Sequence, residues 1–227
     1  MKKNKYKAVC FDLDGVLIDS MPLHALAWQR AGKPFGLSVS KRFIYAHEGE
    51  SGSVTARLLF GNENTRKAQH QALLSAKENY FRRLASRIQT HAALVKCLNG
   101  LNSCGVPLAL VTGTSWNEVR QVVSKRILGQ FRVAITGDRV RRGKPYPDPY
   151  QTAFRALAIK PREAIVIENA PYGIESARKA KAGFVVAFAS SLPKRFLHQA
   201  DWVGGSAESV ANYLKTLVTT ELLPYNK

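Results

Sequence analysis

The chain has 227 residues, 45% of them hydrophobic and 22% charged, a composition typical of a globular protein with a substantial core. No apolar run approaches the roughly 20 residues that cross a bilayer. The three cysteines have no CxxC spacing. The basic N-terminus is followed by a short predicted strand that carries two acids, with no segment resembling a signal-peptide cleavage site. We therefore expect a cytoplasmic protein with reduced thiols and no membrane partner.

The net charge of +18 is compatible with nucleic acid or another polyanion as a partner. The basic residues are spread over both halves of the chain, with the densest cluster at residues 139–144. The sequence has no zinc-finger spacing and no basic stripe interleaved with aromatic residues. We expect no specific nucleic-acid partner and interpret the charge as an attraction for anionic small molecules, with general solubility as the alternative.

The first apolar run ends in two aspartates that are one residue apart. Residues 6–13 predict a buried strand leading into a turn at Gly15. Asp12 and Asp14 should then lie at the carboxyl edge of a sheet, where open α/β folds bind ligands. Two carboxylates at such a place repel each other unless a cation or a shared proton compensates for them. The alternative is a surface turn, because Asp and Gly are common turn residues.

Residues 20–88 have a helical pattern throughout and no strand signal, with the clearest helices at residues 23–31 and 65–84. A helical block inserted after the first strand of an α/β core suggests a cap domain. We place the cap at residues 19–89 and the core at residues 1–18 plus 90–227. Hinges are expected near residues 19–20 and 86–92, and the tail from residue 222 is expected to fray.

Beyond residue 90, short β-like runs alternate with helical stretches. Strands are predicted at residues 106–111, 132–136, 164–167 and 184–188, and helices at residues 116–128, 149–158, 172–182 and 207–218. This alternation predicts an α/β fold with a Rossmann-like, doubly wound and mostly parallel sheet, into which the all-helical cap is inserted.

Four segments, each at or just after a predicted strand end, together resemble the haloacid-dehalogenase superfamily of aspartyl phosphohydrolases. They read Phe11-Asp12-Leu13-Asp14-Gly15-Val16-Leu17-Ile18-Asp19-Ser20, Leu110-Val111-Thr112-Gly113, Gly143-Lys144-Pro145-Tyr146-Pro147-Asp148 and Val166-Ile167-Glu168-Asn169-Ala170-Pro171-Tyr172-Gly173-Ile174. Within the superfamily the chain is most similar to the β-phosphoglucomutase-like branch, which carries a helical cap after the first motif.

The resemblance implies catalytic roles for the two aspartates. Asp12 would attack phosphorus and form an aspartyl phosphate. Asp14 would protonate the leaving oxygen and then activate water, with a pKa moved toward working pH by burial and by the neighbouring acid. Dehalogenases of the superfamily lack the second aspartate, so Asp14 favours phosphoryl transfer over carbon–halogen cleavage.

The second and third motifs would bind phosphate. Thr112 and Gly113 would contact a phosphoryl oxygen, unless Thr112 instead caps the following helix, a task that Ser115 or Asn117 could perform. Lys144 would neutralise the charge of Asp12 and the phosphoryl group, and the alternative is a solvated surface lysine. Asp148 is interpreted as a helix cap.

The fourth motif departs from the family pattern, because most relatives place two acids where this chain has Glu168-Asn169. The resemblance implies Mg²⁺ as cofactor, held by Asp12, the backbone carbonyl of Asp14 and Asn169. An amide oxygen is an acceptable Mg²⁺ ligand. Glu168 is expected to pair with Lys144 and hold it in place.

Three cap residues are candidates for substrate contacts. His24 matches a position that faces the active site in the mutase-like branch, although it could be a satisfied interior histidine. Glu48 could approach the metal through water and favour pyrophosphate, or be a solvated glutamate. Lys77 could contact substrate, with a surface position as the default. The cap turn Gly49-Glu50-Ser51-Gly52 lacks the arginine of the mutase pattern, and Glu50 would repel a second phosphate.

The sequence thus favours a monomeric, Mg²⁺-dependent phosphatase for a small phosphorylated metabolite, either a sugar phosphate or pyrophosphate. A β-phosphoglucomutase-type phosphomutase is the first alternative. The second is a basic nucleic-acid or partner-binding protein that kept the fold and lost turnover, which the intact set of Asp12, Asp14, Thr112 and Lys144 argues against.

Overall fold

A computed structural model describes residues 5–61 and 67–221, with the backbone alone at residues 219–221. The strands are β1 (Ala8–Phe11), β2 (Leu108–Val111), β3 (Val133–Ile135), β4 (Ala164–Glu168), β5 (Phe184–Phe188) and β6 (Trp202–Gly204). The α-helices are α1 (Met21–Gly32), α2 (Lys41–Ala46), α3 (Gly52–Leu59), α4 (Lys67–Leu84), α5 (Ala92–Ser103), α6 (Trp116–Val122), α7 (Lys125–Leu128), α8 (Asp148–Ala156), α9 (Pro171–Lys179) and α10 (Ala207–Glu221). Short 3₁₀ segments lie at Lys33–Phe35, Ala85–Arg87, Gly137–Arg139, Pro161–Glu163 and Lys194–Phe196.

The six strands form one parallel sheet in the order β3-β2-β1-β4-β5-β6. The strand order reverses at β1, which lies between β2 and β4. In an open α/β sheet this reversal opens a crevice at the carboxyl ends of the strands, where ligands bind. The predicted doubly wound fold is confirmed, and the crevice lies where β1 delivers the two aspartates.

The strands are apolar along their whole length because the sheet is covered on both faces. Alternate residues of β1 serve different cores: Val9 and Phe11 pack with α5 and α10, and Ala8 and Cys10 pack with α8 and α9. At about 25 cal/mol per Å² of apolar surface, these two cores are the main stabilising contribution to the sheet. They hold the ends of β1, β2 and β4 in fixed register.

Helices α1 to α4 lie between β1 and α5 in the chain and share a separate core. Met21, Ala25, Trp28, Ile44 and Leu73 are among its members. Within the described part of residues 20–88 there is no strand, as predicted. None of the helices in the described ranges is long and apolar enough to cross a membrane.

The two chain segments that connect the cap helices to the sheet lie side by side. The Asp19 amide donates to the Gln89 carbonyl at 2.8 Å, and the His91 amide donates to the Leu17 carbonyl at 2.9 Å. The two predicted hinge regions are therefore adjacent, an arrangement in which both can bend together.

Several predicted bounds need correction. The first strand is shorter than residues 6–13, because the chain turns after Asp12 and the amides of Val16, Leu17 and Ile18 bond to the Leu13 carbonyl. The predicted helix 116–128 is two helices, since Val123 is extended and Ser124 caps a new helix. The other predicted bounds agree to within three residues, except that residue 65 of the long cap helix and the tail from residue 222 lie outside the described residues.

Two observed elements have no predicted counterpart, α5 and β6. The three residues of β6 are too few to give a recognisable alternation. Asp148 is not an N-cap, because it is the first residue of α8 after Pro147, and its carboxylate pairs with Arg142 at 3.1 Å.

Candidate active site

The four motifs meet at the carboxyl edge of the sheet. Asp12 follows β1, Thr112 follows β2, and Glu168 ends β4, while Phe11 is in register with Leu110 on one side and Ile167 on the other. Lys144 reaches the same place from the loop before α8. All four side chains are at most 3% exposed. The burial of so many charged and polar groups at one edge is costly unless they satisfy one another.

Lys144 is the only lysine or arginine among the described buried groups at this edge. Its Nζ donates to Asp12 Oδ1 at 2.6 Å, to Glu168 Oε1 at 2.6 Å and to the Val111 carbonyl at 3.1 Å, which uses all three ammonium protons. Burial alone would lower the pKa of Lys144, but the two carboxylates outweigh it and raise that pKa above its usual value. The predicted Glu168–Lys144 pair is confirmed, and the surface-lysine alternative is wrong.

Asp12 is incompletely compensated by this one lysine. Burial raises the pKa of Asp12 well above its ordinary value, with Lys144 opposing the shift and Glu168 and Asp14 adding repulsion. The second carboxylate oxygen of Asp12, Oδ2, is buried and has no hydrogen-bond partner among the described residues. The site therefore has room, in charge and in hydrogen bonding, for a further cation beside Asp12.

Asp14 is held by donors from both sides of the crevice. Its Oδ1 lies 2.5 Å from Ser20 Oγ and 3.0 Å from His24 Nε2, and its Oδ2 accepts from Thr114 Oγ1 at 2.7 Å and from Thr112 Oγ1 at 3.3 Å. Burial opposes ionisation, but His24 and the hydroxyl donors outweigh it and keep the pKa of Asp14 below its ordinary value. The predicted upward shift of this pKa is wrong for this conformation, because the sequence did not reveal the four donors.

His24 is both interior and directed at the site. It is 6% exposed and stacks on Phe81 of α4, with 4.0 Å between the ring centroids. His24 is thus an interior histidine and also faces Asp14, so each of its two interpretations is partly correct. His24 and Ser20 lie at the start of the cap, so they connect the cap directly to Asp14.

The loop after β2 contains Thr112, Gly113 and Ser115. Ser115 caps α6 by accepting from the Glu118 amide at 3.4 Å, so Thr112 is not the helix cap. The Thr112 hydroxyl instead accepts from the Thr114 amide at 3.0 Å. A Cβ at Gly113 would lie 2.5 Å from the Gly49 carbonyl oxygen, so only a glycine allows the cap turn to approach this loop so closely.

The cap turn also covers the lysine. Gly49 has φ +87°, and a Cβ built on it would lie 2.6 Å from Lys144 Cδ. The structure is therefore closed, with the Gly49–Glu50 segment directly over Lys144 and Gly113.

The residues predicted to hold a metal suit a hard cation. Both polar side-chain atoms of Asn169 are buried without a hydrogen-bond partner, like Asp12 Oδ2. Unsatisfied buried oxygens are costly, and Mg²⁺ prefers oxygen ligands, so this donor set fits the ion. The described residues hold no group of three His, Cys, Asp or Glu side chains suited to a metal, since the predicted set relies on an amide and a main-chain carbonyl.

Glu168 has partners that sequence reasoning did not find. Tyr150 on α8 is fully buried, and its hydroxyl donates to Glu168 Oε1 at 2.6 Å. The main-chain N–H of Asn169 donates to Glu168 Oε2 at 3.1 Å. A Cβ at Gly173 would lie 2.1 Å from the Glu168 carboxylate, so this glycine provides the space for it. In the sequence, Tyr150 looks like an apolar-face residue of a helix.

A cavity of about 220 Å³ lies between cap and core, next to the Gly113 loop. The acidic residues that line it are Glu48, Glu50, Glu78, Glu118 and Asp138. Among the described residues, Lys77 is the only lysine or arginine in the lining. It is 5% exposed, so the default interpretation of Lys77 as a surface lysine is wrong. Its Nζ pairs with Glu118 at 3.2 Å and lies 4.9 Å from the centre of the Phe81 ring.

Three of the lining acids, Glu48, Glu50 and Glu78, have raised pKa values, and burial is the largest cause for each. Burial raises the pKa of Glu48 well above its ordinary value, and the charges of Asp14 and Asp12 raise it further. Burial raises the pKa of Glu50 to about 7, with Arg57 opposing, and Glu50 Oε2 is buried without a partner in the described residues. Glu48 is therefore within electrostatic reach of the two aspartates.

A family comparison agrees with this geometry. The sequence profile of the haloacid dehalogenase-like hydrolases matches residues 6–181, and the chain belongs to this family. The prediction that the chain is a phosphatase of this hydrolase family is confirmed.

Similar proteins include sugar-phosphate enzymes. Hexitol phosphatase A of Escherichia coli is 29% identical over 90% of this chain and 93% of its own length. A phosphorylated carbohydrates phosphatase of Thermotoga maritima is 30% identical over 77% of this chain and 81% of its own. The β-phosphoglucomutase of Bacillus subtilis is 29% identical over 82% of this chain and 85% of its own length. A solved Bacteroides vulgatus structure, a candidate β-phosphoglucomutase, has a TM-score of 0.84 and 29% identity, covering 97% of this chain and 92% of its own.

Proposed function

We propose that this protein is a Mg²⁺-dependent phosphatase that hydrolyses the monophosphate ester of a sugar or sugar alcohol. The observation that carries the proposal is the contact between Lys144 Nζ and Asp12 Oδ1, with the unpartnered Asp12 Oδ2 beside it. In a buried carboxylate with one oxygen fixed by a lysine, the second oxygen, which has no hydrogen-bond partner, can act as a nucleophile.

In the proposed reaction, Asp12 attacks phosphorus and the phosphoryl group moves to its carboxylate, which divides one difficult displacement into two easier ones. Lys144 offsets the negative charge that gathers on the phosphoryl oxygens. Thr112 and the Gly113 amide would donate to those oxygens. Water then releases phosphate from Asp12.

Asp14 would supply the proton for the leaving oxygen and later accept one from water. In the closed structure its hydroxyl partners favour the carboxylate form, so the proposal requires that substrate displace some of them. An ester oxygen in place of the Thr114 hydroxyl would remove one donor and exclude water, and both changes raise the pKa of Asp14.

Mg²⁺, when bound, would be held by Asp12, the main-chain carbonyl of Asp14 and Asn169, and it would neutralise charge on Asp12 and the phosphoryl oxygens. Two of these ligands, Asp12 Oδ2 and Asn169 Oδ1, have no hydrogen-bond partner among the described residues.

The cavity supports an uncharged leaving group. Only one lysine or arginine lies in its described lining, and the acidic side chains there that are ionised would repel a second phosphate, whether on a bisphosphate or in pyrophosphate. Lys77 is already paired with Glu118, which leaves little positive charge for another anion. A polyol has many hydroxyl donors for these carboxylates, in agreement with the carbohydrate substrates in the names of the relatives. Pyrophosphate hydrolysis, with Glu48 near the metal, is the less favoured variant.

A phosphomutase is the second candidate, because the Bacillus subtilis relative carries that name. In this case the phosphoryl group on Asp12 would pass to a second sugar hydroxyl instead of water. The acidic Glu50 in the cap turn argues against it, since a mutase must hold a sugar with a phosphate at its far end.

The test is a panel of phosphorylated metabolites with Mg²⁺, including hexose and hexitol monophosphates, pyrophosphate and β-glucose 1-phosphate. We expect phosphate release from the hexose or hexitol esters and little from pyrophosphate. Isomerisation of β-glucose 1-phosphate faster than its hydrolysis would select the mutase instead. No turnover of any member would remove the proposal.

Replacing Asn169 with aspartate tests the metal assignment. We expect the Mg²⁺ dissociation constant to fall roughly tenfold, because a carboxylate binds a hard cation more strongly than an amide does. Calorimetric titration of Mg²⁺ without substrate measures this directly. Asn117→Asp, an exposed change on α6, is the control for added charge and should leave the affinity unchanged. Equal affinities for wild type and Asn169→Asp would contradict the assignment.

A further inference from the structure

The Glu168 carboxylate is fixed from several sides. Oε1 accepts from Lys144 Nζ and from the Tyr150 hydroxyl, both at 2.6 Å, and Oε2 accepts from the main-chain N–H of Asn169 at 3.1 Å. On its remaining side the carboxylate lies against Gly173, where a Cβ would come within 2.1 Å of it. Its position thus affects Lys144 on one side and the main chain of Asn169 on the other.

Tyr150 is the neutral donor in this arrangement. Its side chain is fully buried, and the hydroxyl bond to Glu168 is as short as that of Lys144. Burial raises the pKa of Tyr150 well above its ordinary value, and Glu168 raises it further, so the phenol keeps its proton. Since one ammonium serves two buried carboxylates, Glu168 would otherwise depend on Lys144 alone for its Oε1.

We propose that Tyr150 is a positioning residue of the active site. Its hydroxyl holds the Glu168 carboxylate at the point where Oε1 directs Lys144 toward Asp12 and Oε2 fixes the Asn169 backbone. Tyr150 does not touch the reacting atoms and acts through Glu168. This inference rests on the proposed phosphatase function.

Packing alone does not account for a hydroxyl at this position. The ring belongs to the core on the α8 and α9 face of the sheet, with Phe154 as a neighbour at 6.2 Å between centroids. A phenylalanine would fill the same space, and it would avoid burying a polar group. The hydroxyl is explained by its bond to Glu168.

Tyr150→Phe removes the hydroxyl and keeps the ring. We expect kcat to fall roughly tenfold, because a charge-assisted hydrogen bond that orients the lysine is lost. KM should change by less than about twofold, since substrate still reaches the same lining residues. Calorimetry without substrate should show Mg²⁺ binding weakened severalfold, because the backbone of Asn169 is less firmly held. The control is Tyr6→Phe, a buried tyrosine before β1 at the opposite edge of the sheet.

A double-mutant cycle separates positioning from a general structural effect. In a Glu168→Ala background the Tyr150 hydroxyl has no carboxylate to hold, so Tyr150→Phe should lower kcat no further. A merely structural role would give the same loss in both backgrounds. Additive losses, or a Tyr150→Phe enzyme with wild-type kcat and Mg²⁺ affinity, would overturn the proposal.

The outcomes also separate this inference from the proposed function. If wild type hydrolyses phosphate esters and Tyr150→Phe equals it in kcat and in Mg²⁺ affinity, only the role of Tyr150 is refuted. If wild type neither hydrolyses the panel nor binds Mg²⁺, both fall together.

Discussion

Replacing Asp12 with asparagine is expected to lower kcat by roughly four orders of magnitude, because the amide cannot form the covalent phosphoryl intermediate. The fold should persist, since asparagine fills the same volume and relieves repulsion with Asp14 and Glu168. The free energy of unfolding should therefore equal or exceed that of wild type. Phosphate release from the best substrate of the panel, together with urea unfolding, measures both effects.

Asp19→Asn is the matched control for this variant, because Asp19 belongs to the same motif and has an exposed side chain. It should keep wild-type kcat to within about twofold. Substantial turnover by Asp12→Asn would mean that another group accepts the phosphoryl, and the nucleophile would have to be reassigned.

Replacing Lys144 with methionine is expected to affect both stability and turnover. The variant leaves the buried Asp12 and Glu168 carboxylates without their cation, and loss of one partner of a buried pair costs about 3–5 kcal/mol. We expect kcat to fall by roughly a hundredfold or more, because the transition state loses a fixed positive charge. Urea unfolding and steady-state kinetics measure the two losses.

The stability loss of Lys144→Met should depend on pH. Without the ammonium, burial and repulsion from Glu168 and Asp14 raise the pKa of Asp12 in the folded state further above that in the unfolded chain. An acid with a raised folded pKa destabilises the fold progressively as pH rises from the unfolded pKa through the folded one. The variant should therefore be closer to wild type at pH 5 than at pH 8.

Lys179→Met serves as the control, since Lys179 pairs with Glu175 on the surface of α9 and is 46% exposed. Lys179→Met should lower the free energy of unfolding by at most about 0.5 kcal/mol at either pH, because exposed ion pairs contribute little to stability. A Lys144→Met variant with the same small loss at both pH values would show that Lys144 does not compensate for the buried carboxylates.

The fold and the residues that meet at the carboxyl edge of the sheet could be predicted from the sequence because they follow local rules. Asp12, Thr112 and Glu168 each follow or end an apolar strand, and parallel strands bring their carboxyl ends together. Lys144 was placed correctly because its motif has a specific pattern between Gly143 and Pro145. These features need no knowledge of side-chain packing.

Other features depend on contacts between distant segments. The lowered pKa of Asp14 results from donors on the cap and on the loop after β2, which no local pattern connects. Lys77 is buried because the cap lies over the core, and helical spacing alone gives it a surface position. The partner of the Tyr150 hydroxyl is visible only once α8 is packed on the sheet. The positions of the residues at the sheet edge were thus predictable, but the pKa of Asp14, the burial of Lys77 and the partner of Tyr150 were not.

The carboxylates of this chain are distributed very unevenly. Among the described residues, eight acidic residues but only two lysines or arginines lie at the carboxyl edge of the sheet or line the cavity, out of 16 acidic and 34 basic residues in the chain. The rest of the chain therefore carries a larger excess of positive charge than the net charge of +18 suggests. Such an exterior adsorbs to nucleic acids and to cation-exchange resins at low ionic strength, and releases as salt shortens the Debye length toward 3 Å. Nucleic acid that copurifies with this protein would be an ion-exchange effect of its exterior, separable by a salt wash that leaves the enclosed catalytic groups intact.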